Sequence, residues 1–330
     1  MKEVITKCPL CQSTPQLRYE GMKGYIEDSF YDIYECSQCN TSFVNPQVCD
    51  ETIYDYIYKQ VKFVPGYERY YRYANLVKKF RDPFRFMSNS EGLYWAVREA
   101  LEKYFPQKKD IEILEIGSGL GYLTYSLNVS GYKTVGLDIA EDAIIQARND
   151  YGDYYEVGDL FKLAAKAEKK YDCVLMLEVI EHVEQPTAFI QAALALLKEG
   201  GKLIVTTPNK SAAPKDSIWQ SDIPPVHLWF FSEDSLMYIA KSLNRSCEFV
   251  DFTNFTKKFY GPQYVAGIEE IQAGLPRLTK DGTVRPGTEA SHLKTAFFGL
   301  KGRYYLSYIR RRFKKKTISK RSTTQCAIIS

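Results

Sequence analysis

The middle of the chain alternates short apolar runs with stretches of helical periodicity. Residues 111–116 form the first run, and further runs follow at 133–137, 154–157, 171–177 and 202–206. Short apolar runs bounded by turn residues predict buried strands, and the segments between them predict helices. Five strands alternating with helices predict a doubly wound α/β sheet, whose ligands bind at the carboxyl ends of the strands.

A glycine-rich turn follows the first predicted strand. Gly117, Gly119 and Gly121 allow a tight turn and a close approach to a ligand, and residues 122–128 predict a helix whose free N–H groups face the turn. The Gly-x-Gly-x-Gly spacing differs from the dinucleotide fingerprint, which argues against a nicotinamide dehydrogenase. Asp138 ends the second strand, where a carboxylate can accept hydrogen bonds from ribose hydroxyls.

With these motifs, residues 90–255 resemble the class I S-adenosylmethionine-dependent methyltransferases. The resemblance rests on Glu115-x-Gly-x-Gly-x-Gly, on Asp138, on Gly158-Asp159-Leu160 and on the Lys-Glu-Gly-Gly turn at 198–201. It implies that the glycine turn holds the methionine part, that Asp138 binds the ribose, that Asp159 and Leu160 contact the adenine and that Glu178 lies near the sulfonium. The predicted donor-site residues are Glu115, Gly117, Ser118, Gly119, Gly121, Asp138, Ile139, Asp159, Leu160 and Glu178. The alternative is that the glycines only join a strand to a helix and the carboxylates only cap helices.

The resemblance also implies how the sheet ends. Residues 247–252 predict a sixth strand after a helix at 233–243, and residues 323–329 are the best candidate for an antiparallel seventh. Residues 253–322 would then be an insertion near the C-terminus, with an amphipathic helix from 291 to 313.

Charge and length limit the classes of protein that remain. The chain has 330 residues and a net charge of +4, so its global charge indicates no partner. No signal peptide is visible at residues 1–11 and no apolar run approaches the length of a membrane span, so we expect a cytoplasmic protein.

Four of the eight cysteines form two Cys-x-x-Cys pairs, Cys8 with Cys11 and Cys36 with Cys39. This spacing is typical of a four-thiolate structural zinc site, whereas a redox or fortuitous pairing is the alternative. With four thiolates no coordination position is left open, so we expect Zn²⁺ to support structure and not catalysis. Residues 1–48 are predicted to form this zinc ribbon. Such a ribbon resembles the zinc-ribbon methyltransferases associated with modification of sugars, polysaccharides and secondary metabolites.

Residues 49–106 connect the ribbon to the methyltransferase domain predicted at 107–330. They are helical in pattern and dense in tyrosine. Some rings could line the acceptor pocket as part of a lid, but we expect most of them to pack the ribbon onto the sheet.

The residues after the fourth strand suggest acceptor chemistry. If a helix begins at Glu178, then Glu178, Glu181 and His182 share one face, and His227 lies on a proline-rich loop at the same end of the sheet. His182 or His227, with Glu181, could remove a proton from an acceptor hydroxyl. Alternatively Glu178, Glu181, His182 and His227 could bind Mg²⁺ or another divalent ion. The third interpretation is a purely structural role, with the carboxylates at a helix start.

The Glu-x-x-Glu-His string resembles the metal-binding motif of ubiquinone-pathway O-methyltransferases and of small-RNA 2′-O-methyltransferases. Basic and aromatic residues are mixed across 294–321, which suggests contact with an anionic membrane at the inner face, with nucleic acid, or only with solvent.

The sequence therefore predicts a methyltransferase that modifies a hydroxyl of a sugar, glycan or related small metabolite, with a phosphate-bearing or lipid-linked acceptor included. An RNA 2′-O-methyltransferase, a C-methyltransferase acting on a nucleotide-linked sugar and a noncatalytic donor-binding protein are the alternatives.

Overall fold

The computed structural model describes residues 5–48, 51–64, 66–108, 110–166, 170–212, 223–259, 268–287, 309 and 319–330. The strands are β1 (Gln16–Lys23), β2 (Phe30–Cys36), β3 (Thr41–Asn45), β4 (Glu112–Ile116), β5 (Lys133–Asp138), β6 (Tyr155–Val157), β7 (Tyr171–Leu177), β8 (Leu197–Pro208), β9 (Trp229–Phe230), β10 (Cys247–Phe249) and β11 (Thr324–Ile329). The helices are α1 (Glu51–Lys59), α2 (Glu68–Leu76), α3 (Pro83–Ser88), α4 (Gly92–Tyr104), α5 (Tyr122–Val129), α6 (Glu141–Tyr151), α7 (Leu160–Lys166), α8 (Pro186–Ala195), α9 (Glu233–Ser242), α10 (Thr253–Phe259) and α11 (Ile268–Ala273).

The larger of the two sheets formed by the described residues has seven strands in the order β10-β11-β8-β7-β4-β5-β6. The strands from β8 to β6 run parallel, whereas β11 is antiparallel to both β8 and β10. This arrangement confirms the predicted doubly wound sheet, including its antiparallel seventh strand. The fifth predicted strand is longer than expected, because β8 already begins at Leu197.

Apolar side chains are buried on both faces of this sheet, because successive residues of a strand point to opposite faces. In β7, Val174 and Met176 face the core on one side, while Cys173 and Leu175 face the core on the other. All four side chains are fully buried. The unbroken apolar run from residue 173 to residue 177 is therefore explained by burial on two faces.

The amino-terminal strands β1, β2 and β3 form an antiparallel sheet with a fourth strand, β9, from the far half of the chain. Ser42 pairs with Phe230 and Phe43 with Trp229. The predicted ribbon is thus completed by residues that follow β8, which the domain division at residue 48 did not anticipate.

The predicted insertion is described in part. It contributes α10 and α11, and the backbone N–H of Arg277 donates to the carbonyl of Tyr25 in the ribbon at 2.8 Å. The predicted helix at 291–313 lies outside the described residues, apart from Ile309. Within the described part of the chain, no helix is both long enough and apolar enough to cross a membrane.

Candidate active site

The turn between β4 and α5 is a glycine loop with left-handed backbone. Gly117, Gly119 and Gly121 have φ angles of 74°, 48° and 77°. A β-carbon at Gly117 would lie 2.5 Å from Val179 Cγ2, and one at Gly119 would lie 3.0 Å from the Tyr58 hydroxyl. The left-handed conformation therefore favours glycine at all three positions, and at Gly117 the available space requires it as well.

Asp138, at the end of β5, joins this loop to the neighbouring strand. Its Oδ2 accepts a hydrogen bond from the Gly119 N–H at 2.7 Å, and its Oδ1 accepts one from the Ala140 N–H at 2.9 Å. Burial raises the carboxyl pKa, and these hydrogen bonds oppose the rise. Because a carboxylate oxygen can accept two hydrogen bonds, each oxygen retains capacity for a ribose hydroxyl.

Glu115 lies beneath the glycine loop in a buried position. It accepts a hydrogen bond from the Thr124 hydroxyl, and its side chain is almost fully removed from solvent. Burial raises its pKa to about 8. Glu115 is therefore largely protonated near neutral pH and supports the loop without placing a full charge there.

A single cavity of about 1010 Å³ connects the glycine loop with the loops that follow β7 and β8. Of the residues predicted to bind the donor or act on the acceptor, Glu115, Gly117, Ser118, Gly119, Asp138, Ile139, Asp159, Leu160, Glu178, Glu181, His182 and His227 line it.

Two predicted donor residues have structural roles of their own. Gly121 is not among the cavity-lining residues, and a β-carbon there would lie 2.6 Å from Ala147 Cβ and 2.7 Å from the Tyr155 ring. Gly121 therefore allows α5 to pack closely on its neighbours. Asp159 lines the cavity but also accepts a hydrogen bond from the Lys162 N–H at the start of α7, which is the helix-capping role considered as the alternative.

The predicted helix beginning at Glu178 is wrong. Residues Ile180–His182 form a single 3₁₀ turn, and Glu178 precedes it with a φ of 54°. This left-handed residue turns the chain, and Glu178 is not in the cluster of potential metal ligands that Glu181 and His182 form. Its Oε1 accepts a hydrogen bond from the Thr324 hydroxyl at 3.2 Å. The four-residue metal set proposed from the sequence is consequently reduced to three.

Those three residues, Glu181, His182 and His227, form a compact cluster. One potential ligand atom from each lies within 4.8 Å of the others. The Thr207 hydroxyl donates to Glu181 Oε2 at 2.9 Å, and the two imidazole rings meet edge to face. The loops that follow β7 and β8 thus bring these three side chains together.

The orientation of His182 is fixed by a backbone carbonyl. Its Nδ1 lies 2.6 Å from the carbonyl oxygen of Val226, and because a carbonyl can only accept, Nδ1 carries the proton. In the neutral ring Nε2 is then the nitrogen without a proton. Burial lowers the His182 pKa to about 4, so the ring is uncharged at physiological pH and adopts this tautomer. Burial, followed by the nearby His182 and Arg69, also lowers the pKa of His227.

Arg69 and several tyrosines line the cavity opposite the sheet. Residues 50–106 contain nine tyrosines. Five of them line the cavity, which is more than expected if most of the rings only pack the ribbon onto the sheet: Tyr54, Tyr58, Tyr67, Tyr70 and Tyr94. Arg69 is the one Lys or Arg among the described lining residues, and its Nη2 donates to the Tyr70 hydroxyl at 2.9 Å. No spacing or motif in the sequence distinguished Arg69 from its neighbours in α2.

The four ribbon cysteines form a separate cluster. The Sγ atoms of Cys8 and Cys39 are 3.8 Å apart, and those of Cys11 and Cys36 are 3.4 Å apart. A tetrahedral zinc site with metal–sulfur bonds of about 2.3 Å requires sulfur–sulfur distances of about 3.8 Å. Asn40 follows the second pair with a φ of 52°, a left-handed conformation that Asn adopts more readily than most residues. The donor set and its spacing therefore fit a zinc ion.

Comparisons with known proteins agree with this geometry. Residues 91–254 match the model of a family described as "Methyltransferase domain". A ubiquinone biosynthesis O-methyltransferase of Xanthomonas axonopodis pv. citri is 35% identical over 106 residues, which are 31% of this chain and 44% of that protein. The enzyme of the same name from Leptothrix cholodnii is 27% identical over 152 residues, covering 42% of this chain and 62% of its own.

Among solved structures, a SAM-dependent methyltransferase from Archaeoglobus fulgidus is similar at a TM-score of 0.40 and 17% identity. That alignment covers 71% of this chain and 92% of that one. The chain matches less than half the length of the first curated relative. Residues 91–254 therefore match a methyltransferase domain.

Proposed function

We propose that the chain transfers the methyl group of S-adenosylmethionine to a hydroxyl of a sugar, glycan or related small metabolite. One observation supports this most strongly: the glycine loop and the neutral, orientation-fixed His182 open into the same cavity. The donor site and the proton acceptor therefore face the same cavity. O-methylation requires this, because the acceptor hydroxyl must be close to both the methyl group and a base.

The donor end of the cavity is suited to a nucleoside. Asp138 has hydrogen-bonding capacity left for both ribose hydroxyls, and Ile139 and Leu160 add apolar side chains to the cavity lining for the adenine. Gly117 and Gly119 of the glycine loop line the same cavity. The bound donor supplies the methyl group.

The charges of the lining residues also match this donor. S-adenosylmethionine has one carboxylate and two positive groups, its ammonium and its sulfonium. Arg69 is the one guanidinium or ammonium among the described lining residues, and Glu178 lies close enough to interact with it electrostatically. We assign the donor's carboxylate to Arg69, and its positive groups to the neighbourhood of Glu178.

At the acceptor end, His182 Nε2 receives the hydroxyl proton as the oxygen attacks the methyl carbon. Glu181 Oε1 lies 3.9 Å from His182 Nε2, so this carboxylate, when ionised, favours the imidazolium that forms. The carbonyl of Val226 holds the ring in the tautomer that can accept this proton.

The walls of the acceptor space favour a ring-shaped acceptor. Tyr54 meets His182 edge to face at 5.6 Å, and its hydroxyl donates to the Val226 carbonyl at 3.1 Å. Aromatic faces with polar edges suit the mixed apolar and hydroxylated surfaces of a sugar. The curated relatives are named as O-methyltransferases, which supports oxygen as the methylated atom.

A divalent ion at Glu181, His182 and His227 is the second candidate for acceptor activation. The donor set fits, because each of the first two ligands has a fixing partner: Thr207 for Glu181 and the Val226 carbonyl for His182. Such an ion, when bound, would lower the pKa of a coordinated hydroxyl.

The test is a mass-shift screen of hydroxylated metabolites and cell extract with isotope-labelled donor and purified protein. We expect a labelled methyl ether whose formation is abolished in His182→Gln and does not depend on added Mg²⁺. Activity lost on chelation and restored by Mg²⁺ would favour the metal instead. If activity on the acceptor survives chelation, His182→Gln and His227→Ala, the acid–base and metal proposals both fail.

A further inference from the structure

The ribbon and the acceptor site share one stretch of chain, residues 226–230. β9 begins two residues after His227 and pairs with ribbon strand β3. β3 in turn begins two residues after Cys39, the last cysteine of the predicted zinc site. Cys39 and His227 therefore each lie two residues before one of two paired strands, β3 and β9.

Leu228 connects the two sites through its backbone. Its carbonyl accepts a hydrogen bond from the Val44 N–H in the ribbon at 3.1 Å, and its N–H donates to the carbonyl of Glu181 at 2.9 Å. One peptide segment is thus held by the ribbon on one side and by the acceptor loop on the other.

Trp229 makes a second connection between the same partners. It is buried against Phe43 of β3, with ring centroids 5.9 Å apart. Its Nε1–H donates to the carbonyl of Val183 at 2.8 Å, one residue beyond His182. Moving the ribbon would therefore move the backbone on both sides of the histidine pair.

We propose that the cysteine-rich ribbon positions His182 and His227 for the reaction, with Phe43 and Trp229 as positioning residues. Zinc in the ribbon then affects the acceptor end of the cavity while the donor end, built on β4 and β5, is unaffected. This inference rests on the proposed function only in assigning the histidines to the acceptor.

The histidines themselves provide a readout that does not depend on turnover. The chain contains three histidines, so ¹⁵N-histidine labelling gives a simple imidazole spectrum, and His292→Gln assigns the third. We expect removal of zinc by chelation, or Cys36→Ser, to shift the imidazole signals of His182 and His227. Calorimetric affinity for S-adenosylmethionine should change by less than about twofold, because the donor contacts lie elsewhere.

A point substitution tests the connection with the metal in place. Trp229→Phe removes the hydrogen bond to Val183 and keeps an aromatic ring; the matched control is Trp95→Phe, whose ring packs on Phe252 and Phe255. We expect Trp229→Phe alone to shift the two histidine signals and to lower kcat on the identified acceptor by about tenfold or more, since small displacements of reacting groups are costly.

Identical imidazole spectra in zinc-loaded and zinc-free protein, or a Trp229→Phe spectrum that matches the Trp95→Phe control, would overturn the proposal. If chelation unfolds the whole chain, the Trp229→Phe comparison alone decides. Failure of the donor to bind at all would count against the proposed function, whereas the histidine spectra would still answer the question of positioning.

Discussion

His182 and His227 meet edge to face, with their ring centroids 4.6 Å apart, in a buried part of the cavity. Burial lowers the pKa of both rings, and the nearby His182 lowers that of His227 further. The pair is therefore neutral in the folded protein over the physiological pH range, as its depressed pKa values require.

This pair predicts loss of stability in mild acid. The pKa of His182 is about 4 in the folded state, against an ordinary value of 6.5, so the unfolded chain binds more protons between these values. The free energy of unfolding should then fall as the pH drops through this window, by about 3 kcal/mol from His182 alone. Urea unfolding at several pH values measures it, and His182→Gln should flatten the dependence. Parallel pH dependences for the two proteins would contradict the assignment.

Asp138→Asn should weaken donor binding. Asp138 accepts hydrogen bonds from two backbone N–H groups, and the amide of Asn would place its NH₂ group against one of them. The substitution also removes the negative charge that favours hydrogen bonds from ribose hydroxyls. We expect the dissociation constant for S-adenosylmethionine to rise by about 10- to 100-fold in calorimetry. Asp150→Asn, at an exposed position in α6, is the control and should bind normally. Equal affinities for the two variants would exclude Asp138 from the donor site.

Arg69→Met should discriminate between donors with and without a carboxylate. If Arg69 binds the carboxylate, affinity for S-adenosylmethionine should fall by about tenfold or more. Affinity for 5′-methylthioadenosine, which lacks the amino-acid group, should change little. Arg72→Met, on the same helix but not among the cavity-lining residues, provides the control. A similar loss for both ligands would mean that Arg69 acts through the structure of the cavity instead.

The cysteine cluster predicts a stoichiometric metal. Elemental analysis should find about one zinc per chain, because four thiolates at this spacing satisfy a tetrahedral ion. Cys36→Ser should release the metal, whereas Cys247→Ser, near the edge of the large sheet, should retain it. Zinc-free protein with unaltered stability would show that the four thiols do not form the predicted site.

The sequence predicted the central sheet well because its strands are buried on both faces. Such strands are short, apolar at nearly every position and bounded by turns, so β5 and β7 were placed within one residue of their observed ends. β8 was underestimated because its first residues, 197–201, are mostly polar or glycine and only the later part is buried.

The candidate site was predictable where a motif lies in one segment and not where it depends on contacts between segments. The glycine loop and Asp138 belong to the first kind. The left-handed turn at Glu178 and the cavity position of Arg69 belong to the second, since each depends on how β7 or α2 packs against the rest of the fold. The two-residue strand β9 was missed for the same reason: its apolar residues have no period of their own and pair only because β3 is adjacent.

The position of β11 inside the sheet has a consequence for biosynthesis. Its residues, Thr324–Ile329, bond to β8 on one side and to β10 on the other, and the Thr324 hydroxyl reaches Glu178 in the cavity. When the glycine loop and the loops that carry His182 and His227 have left the ribosome, β11, which joins β8 to β10, is still inside it. The nascent polypeptide therefore exposes an unpaired β8 edge until translation passes residue 329, and chaperones that shield such edges would be needed most at that stage.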